Sequence, residues 1–237
     1  MIKRTTNTKR NIIISVIAIA IIIIAIFIFN NQNQEPEQQK IENSKNTGKL
    51  IDQSNEFLSI LKTDHVLGKK DAPVTIIEYA SMSCPHCAEF YANGFDNLKD
   101  YIDSGEVLFI YRDLPLNGPA LAGAVAAECY YNKIQQDYKY HNFVKNLFKH
   151  QEKWAFMPDF IDKLKEISVI QGISDAELSK CLEDKDLQKS IISRAQNASK
   201  SLNIKATPTF IVNGEIVSGY KGWDILAEVI NRKLDMQ

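Results

Sequence analysis

Cys84 and Cys87 stand two residues apart in the stretch EYASMSCPHCAEFY, residues 78–91, with Pro85 and His86 between them. Such a pair has three uses: a dithiol–disulfide redox centre, half of a metal site, or a structural staple. A zinc site needs two further ligands at matching spacing. Here Cys129 and Cys181 stand alone, and His65, His141 and His150 form no companion pair. A staple of so short a span removes little chain entropy from the unfolded state. The spacing therefore favours thiol–disulfide exchange, with no metal and no organic cofactor.

That chemistry depends on where the chain holds the first sulfur. PVTIIEYAS, residues 73–81, is β-branched and bounded by Pro73 and the cysteine motif, which predicts a buried strand. AEFYANGFDNLKDYIDSG places Phe90, Phe95, Leu98 and Ile102 at helical spacing, a helix stopping at Gly105. Cys84 then sits at a strand-to-helix junction, where unpaired amide N–H groups and the positive end of the helix dipole favour a thiolate. Cys87 falls about one turn further on, close enough to close a small disulfide ring and less exposed, as a resolving thiol would be. His86 adds an N–H dipole or a partial positive charge near the Cys84 sulfur. EVLFIYRDLPL, residues 106–116, reads as a second strand, so the three elements form a βαβ unit with a parallel pair.

From Gly118 to about Asn203 the pattern is helical throughout, including a capping-box signature at Ser174 and Glu177. TPTFIVNGEIVSG then returns to strand pattern, with Asn213–Gly214 as a hairpin turn, and WDILAEVINRKL closes with a helix. Thr207–Pro208 heads that hairpin. Proline is permitted at a strand's first residue, and a cis bond there would turn the chain sharply into the strand. Alone the dipeptide says little; beside a cysteine pair at a strand–helix junction it says much more.

The remaining chain sets the compartment. Lys3, Arg4, Lys9 and Arg10 precede an apolar run from Ile12 to Phe29 broken only by Ser15. Eighteen helical residues span roughly 27 Å, enough for a thin bilayer's hydrocarbon core. The positive flank stays cytoplasmic and the rest is exported. Residues 1–30 are thus expected to be a membrane anchor or signal peptide. No small-residue cleavage pattern follows the run, which favours an uncleaved anchor. Residues 31–63 form a polar tether, with KLIDQSNEFLSILK (49–62) as a possible short amphipathic helix. Four cysteines suit an oxidising compartment, and a net charge of −1 offers no basic excess for nucleic acid.

IIEYASMSCPHCAEF, LFIYRDLPL, ALAGAVAAEC and ATPTFIVNGE together resemble the thioredoxin superfamily, and within it the DsbA family of exported thiol–disulfide oxidoreductases. The likeness covers about residues 64–234. It implies an α/β thioredoxin fold over 64–237 with an inserted α-helical domain at about 118–203. It implies Cys84 as the nucleophile that forms a mixed disulfide with substrate, Cys87 as the resolving cysteine, and Pro208 as a cis-proline facing them. Thr207 would offer backbone hydrogen bonds to an extended substrate, and Glu78 matches the family's buried acidic residue. DsbA is itself a known case of a strongly depressed cysteine pKa and a strong thiol oxidant, so that property comes with the resemblance and not from spacing.

The family further implies a disulfide between Cys129 and Cys181, where two buried free thiols are the other reading. Closing that loop contributes ~3–4 kcal/mol in the chain-entropy account. The implied partners are reduced, cysteine-containing exported proteins and a DsbB-like, quinone-linked membrane oxidase that restores the disulfide. The implied location is the periplasm, soluble after signal cleavage or tethered to the inner membrane. Thr207 in place of valine is shared with isomerases, which keeps an isomerase or reductase of the same fold as an alternative. An anchored chaperone whose cysteines only brace the fold is the non-enzyme alternative.

Overall fold

A computed structural model describes residues 55–236. The expected anchor over 1–30 and the tether up to residue 54 lie outside them. Among the described residues no helix is long and apolar enough to cross a membrane.

Five strands form one sheet in the order β1-β3-β2-β4-β5. They are β1 Val66–Leu67, β2 Val74–Ala80, β3 Val107–Asp113, β4 Thr209–Val212 and β5 Glu215–Ser218. β2 and β3 run parallel, with Glu78 opposite Tyr111, and the other neighbours pair antiparallel. Between β2 and β3 lie α1 Pro85–Asn93 and α2 Phe95–Ser104. Six helices, α3 Gly118–Ile134, α4 Asp137–Lys149, α5 Gln151–Trp154, α6 Phe160–Ile170, α7 Asp175–Glu183 and α8 Lys185–Leu202, run between β3 and β4. The hairpin β4–β5 and α9 Trp223–Leu234 complete the chain. This is an α/β thioredoxin-like sheet with inserted helices.

The strand pattern explains the layering. β2 and β3 are buried on both faces, so they read as near-continuous apolar runs. One face, carrying Ile76, Phe109, Tyr111 and Phe210, packs on α1, α2, α4 and α9. Ile77, Tyr79, Ile110 and Ile211 on the other face meet Ala198 and Leu202 of α8 and, from the chain before β1, Phe57 and Leu58.

One expectation needs correction. The single helix after Cys84 is two helices, broken at Gly94. A Cβ at Gly94 would lie 2.7 Å from the Tyr220 hydroxyl and 2.9 Å from the Phe90 ring, so the tyrosine's approach requires glycine there. Of the possible amphipathic helix over 49–62, residues 49–54 lie outside the described residues, and 55–62 hold a 3-10 turn, Glu56–Leu58.

What fixes that turn is Arg112. Its guanidinium donates to Asp64 Oδ1 and Oδ2 at 2.9 and 2.7 Å, to the Phe57 and Ser59 carbonyls at 2.6 Å each, and to the Tyr79 hydroxyl at 2.7 Å. Both charges of the pair are almost fully buried. Arg112→Ala leaves Asp64 charged and unpaired, and is expected to cost about 3–5 kcal/mol by urea denaturation. A loss within experimental error would show that this segment does not depend on the clamp.

Candidate active site

Cys84 is the N-cap of α1, in extended conformation (φ −89°, ψ 120°), and Pro85 follows at the first helical position. Proline suits that place because its missing N–H is one the helix cannot use anyway. The Cys84 carbonyl accepts from the N–H groups of Cys87 (3.1 Å) and Ala88 (3.2 Å), while its own N–H donates to the Ser81 carbonyl. The turn is thus closed on both sides by backbone.

The two free thiols sit in unlike surroundings. Cys84 keeps 8% exposure and Cys87 none, so only the first can be approached from outside. The Cys84 thiol is lowered to about 5, chiefly by the hydrogen bond from the Cys87 thiol. Burial opposes this, and the Thr207 side chain and the backbone N–H groups of Cys87 and His86 assist. Cys87 moves the other way: burial drives it up, and its own hydrogen bond to Cys84 and the Glu78 charge add to the rise.

His86 acts on Cys84 through its backbone N–H. Its imidazole is exposed and faces Glu89, with Nδ1 3.3 Å from Oε2. The expected partial positive charge is therefore balanced by an adjacent carboxylate, and the amide dipole is the contribution that reaches the sulfur.

Thr207–Pro208 is a cis peptide bond, and both residues are buried. In its protonated form, Cys84 Sγ donates to the Thr207 carbonyl at 3.2 Å, bringing together two motifs 123 residues apart. Glu78 lies beneath the pair, fully buried on β2. Its Oε2 accepts from Tyr91 Oη at 2.9 Å, while Oε1 has no partner. Burial pushes this carboxyl well above the carboxylate range, against the Tyr91 hydrogen bond. Burial thus favours the protonated form of this carboxyl, next to a thiol whose charged form is disfavoured as well.

Cys129 on α3 and Cys181 on α7 are joined, with a Cα–Cα distance of 6.0 Å. This bridge belongs to the inserted helices and is separate from the Cys84–Cys87 pair.

Two residues at the site carry little or no signal in the sequence. Tyr91 follows Cys87 by one helical turn, and that i,i+4 spacing is the one available sign. Gln151, at the start of α5, has none. It is buried, and Nε2 donates to the carbonyls of Met82 (3.0 Å) and Cys84 (2.9 Å). Gln151→Leu removes both bonds inside the protein and is expected to cost about 2 kcal/mol, with the Cys84 pKa rising as the turn loosens. Urea denaturation and the pH profile of Cys84 alkylation check this. An unchanged profile would limit Gln151 to a packing role.

A sheet with inserted helices, a cysteine pair at the first turn after β2 and a cis-proline beside it define a thioredoxin-type dithiol site. The chain belongs to the thioredoxin family: a family model described as Thioredoxin matches residues 61–232. Within that family it is DsbA-like. A Rickettsia typhi relative, whose name provisionally assigns it as a protein-disulfide oxidoreductase, is 30% identical over 73% of this chain and 62% of its own length. Disulfide bond formation protein D of Bacillus subtilis is 29% identical over 77% of this chain and 84% of its own. Among solved structures, alpha-DsbA1 of Wolbachia pipientis superposes with a TM-score of 0.71 at 31% identity. The match covers 77% of this chain and 96% of that one. The chain thus spans less than two thirds of the Rickettsia relative and nearly all of the Wolbachia structure.

Proposed function

We propose that this chain is an exported protein-disulfide oxidoreductase that introduces disulfide bonds into reduced polypeptides. The observation that carries the proposal is the asymmetry of the pair: a reachable Cys84 lowered to about 5 beside a fully buried Cys87 pushed upward. A substrate thiolate attacks the Cys84 sulfur of the oxidised pair, the Cys84–Cys87 bond breaks, and the electron pair leaves on Cys87. Glu78 supplies the proton that lets Cys87 settle as a neutral thiol. The substrate's second thiolate then attacks its own sulfur in the mixed disulfide, and Cys84 departs as a stabilised thiolate. Two electrons have passed from substrate to enzyme.

Thr207 and Pro208 line the approach to Cys84, and Pro85 and His86 shape the turn and supply an amide. Reoxidation returns the two electrons to a DsbB-like, quinone-linked membrane oxidase. The N-terminal segment, residues 1–30, delivers the domain over 64–237 to the periplasmic side, either as an anchor or as a cleaved signal. The helices at about 118–203 form the inserted domain.

The test is the redox equilibrium of the full chain against glutathione, followed by thiol alkylation and mass spectrometry. Cys84–Cys87 is expected to become reduced at a far more oxidising poise than Cys129–Cys181. If both pairs resist reduction equally, the oxidase proposal fails; fast exchange would then indicate a reductase, and slow exchange a brace.

A further inference from the structure

Beside Thr207, on the flank formed by the start and the end of the helical insertion, runs a groove of about 550 Å³. One wall is the loop after β3, with Leu114 and Pro115; the other is the last turns of α8 and the loop beyond, with Ile192 and Ile204. Leu116, on the same loop, is 63% exposed, a large apolar side chain held out beside the groove. This wall is tied to the cysteine turn: Leu114 N–H donates to the Ala80 carbonyl (2.7 Å) and Leu116 N–H to Ser81 Oγ (3.4 Å). At its other limit the lining reaches Thr207, whose carbonyl holds the Cys84 thiol.

The charge on this surface has one sign. Lys200 and Lys205 line it, both exposed, and no Asp or Glu does. Neither lysine has an ion-pair partner among the described residues, whereas Lys99, Lys133, Lys145, Lys163 and Lys165 each do. A trough whose apolar walls are interrupted by the uncharged Gln196, Ser199 and Asn203, with two uncompensated ammonium groups, opens on the residue that touches the reactive sulfur and complements a chain with an apolar side chain next to a carboxylate.

Building on the oxidoreductase function, we infer that this groove receives the segment flanking the reactive cysteine of the reduced substrate. It selects segments that carry an apolar residue beside an acidic one. The apolar side chain enters between Leu114, Pro115, Ile192 and Ile204, and the carboxylate faces Lys200 and Lys205. The lysines act on encounter and register and take no part in the exchange of electrons.

The test uses the oxidised full-length chain and two dithiol peptides. Both carry a leucine near the attacking cysteine; one has two aspartates beside it and the other two lysines. Each rate of reduction of Cys84–Cys87 is divided by that peptide's rate with a small aromatic disulfide, which removes differences in intrinsic thiol reactivity. Dithiothreitol, which cannot fill the groove, serves as reference. At low salt the acidic peptide is expected to react roughly fivefold faster than the basic one, and high salt to erase the difference. Lys200→Glu with Lys205→Glu should reverse the preference and leave the dithiothreitol rate unchanged. Equal normalised peptide rates in the unaltered protein, or the same ratio in both proteins, with dithiothreitol still reacting, would overturn the groove assignment alone. Failure of dithiothreitol itself to exchange would overturn the oxidoreductase function and the groove's role with it.

Discussion

Cys84→Ser is expected to abolish exchange, while Cys87→Ser captures substrates as stable mixed disulfides on Cys84. A serine hydroxyl at position 84 is no nucleophile or leaving group near neutral pH, so the loss should exceed about 10³-fold. The serine at position 87 removes the resolving sulfur but keeps a hydrogen-bond donor where the Cys87 thiol stood. That bond is the largest influence lowering Cys84. The pair Cys87→Ser and Cys87→Ala therefore separates two effects: both trap, but only alanine should move the Cys84 pKa well above about 5. Alkylation rate against pH reads the pKa, and non-reducing mass spectrometry reads the adduct. If serine and alanine give the same profile, the thiol–thiol hydrogen bond is not what activates Cys84.

The second large effect is the pH dependence of the stability difference between the dithiol and disulfide forms. Only the dithiol titrates at Cys84. Its folded value, about 5, lies below the unfolded one, about 8.5, so between them the unfolded chain holds a proton that the folded chain has released. The dithiol form should accordingly gain stability relative to the disulfide form as pH rises from about 5 to about 8.5. The slope approaches about 1.4 kcal/mol per pH unit, and the gain is lost as pH falls through about 5. Above about 8.5 the slope reverses, because buried Cys87 keeps its proton after the unfolded chain has lost it. Urea denaturation of both forms from pH 4 to about 9.5 would show a dome. A flat difference across the range would mean that the folded protein does not stabilise the thiolate, and the driving force of the proposed oxidase would vanish with it.

The legible signals in the chain are local. The Cys84–Cys87 spacing, the β-branched run ahead of it and the hairpin at Asn213–Gly214 each state their geometry within a few residues. Their positions in β2, α1 and β4–β5 follow that pattern. Non-local demands leave no such mark. β1 is two residues long, Val66 and Leu67, too short for any periodicity, and exists only because β3 offers it an edge. The glycine at the break is required by Tyr220, 126 positions away, and helical spacing runs through it undisturbed. Gln151 reaches the cysteine turn from a four-residue helix whose sequence, QEKW, contains no sign of it. His86 shows a related limit: its residue type invites a side-chain role, whereas geometry gives the contact with the sulfur to its amide.

The Gln151 clamp also bears on how such a protein can be divided. The helices from α3 to α8 occupy one continuous stretch of chain, and on a diagram they could be cut out and β3 rejoined to β4. At the thiol the two parts do not separate. The carbonyl of Cys84 is held by a side chain of the insertion, and Thr207 stands where the insertion rejoins the sheet. A swapped or trimmed insertion would thus arrive at the reactive sulfur as well as at the outer surface. In this architecture a change made in the insertion for the sake of specificity is felt at the reactive sulfur too.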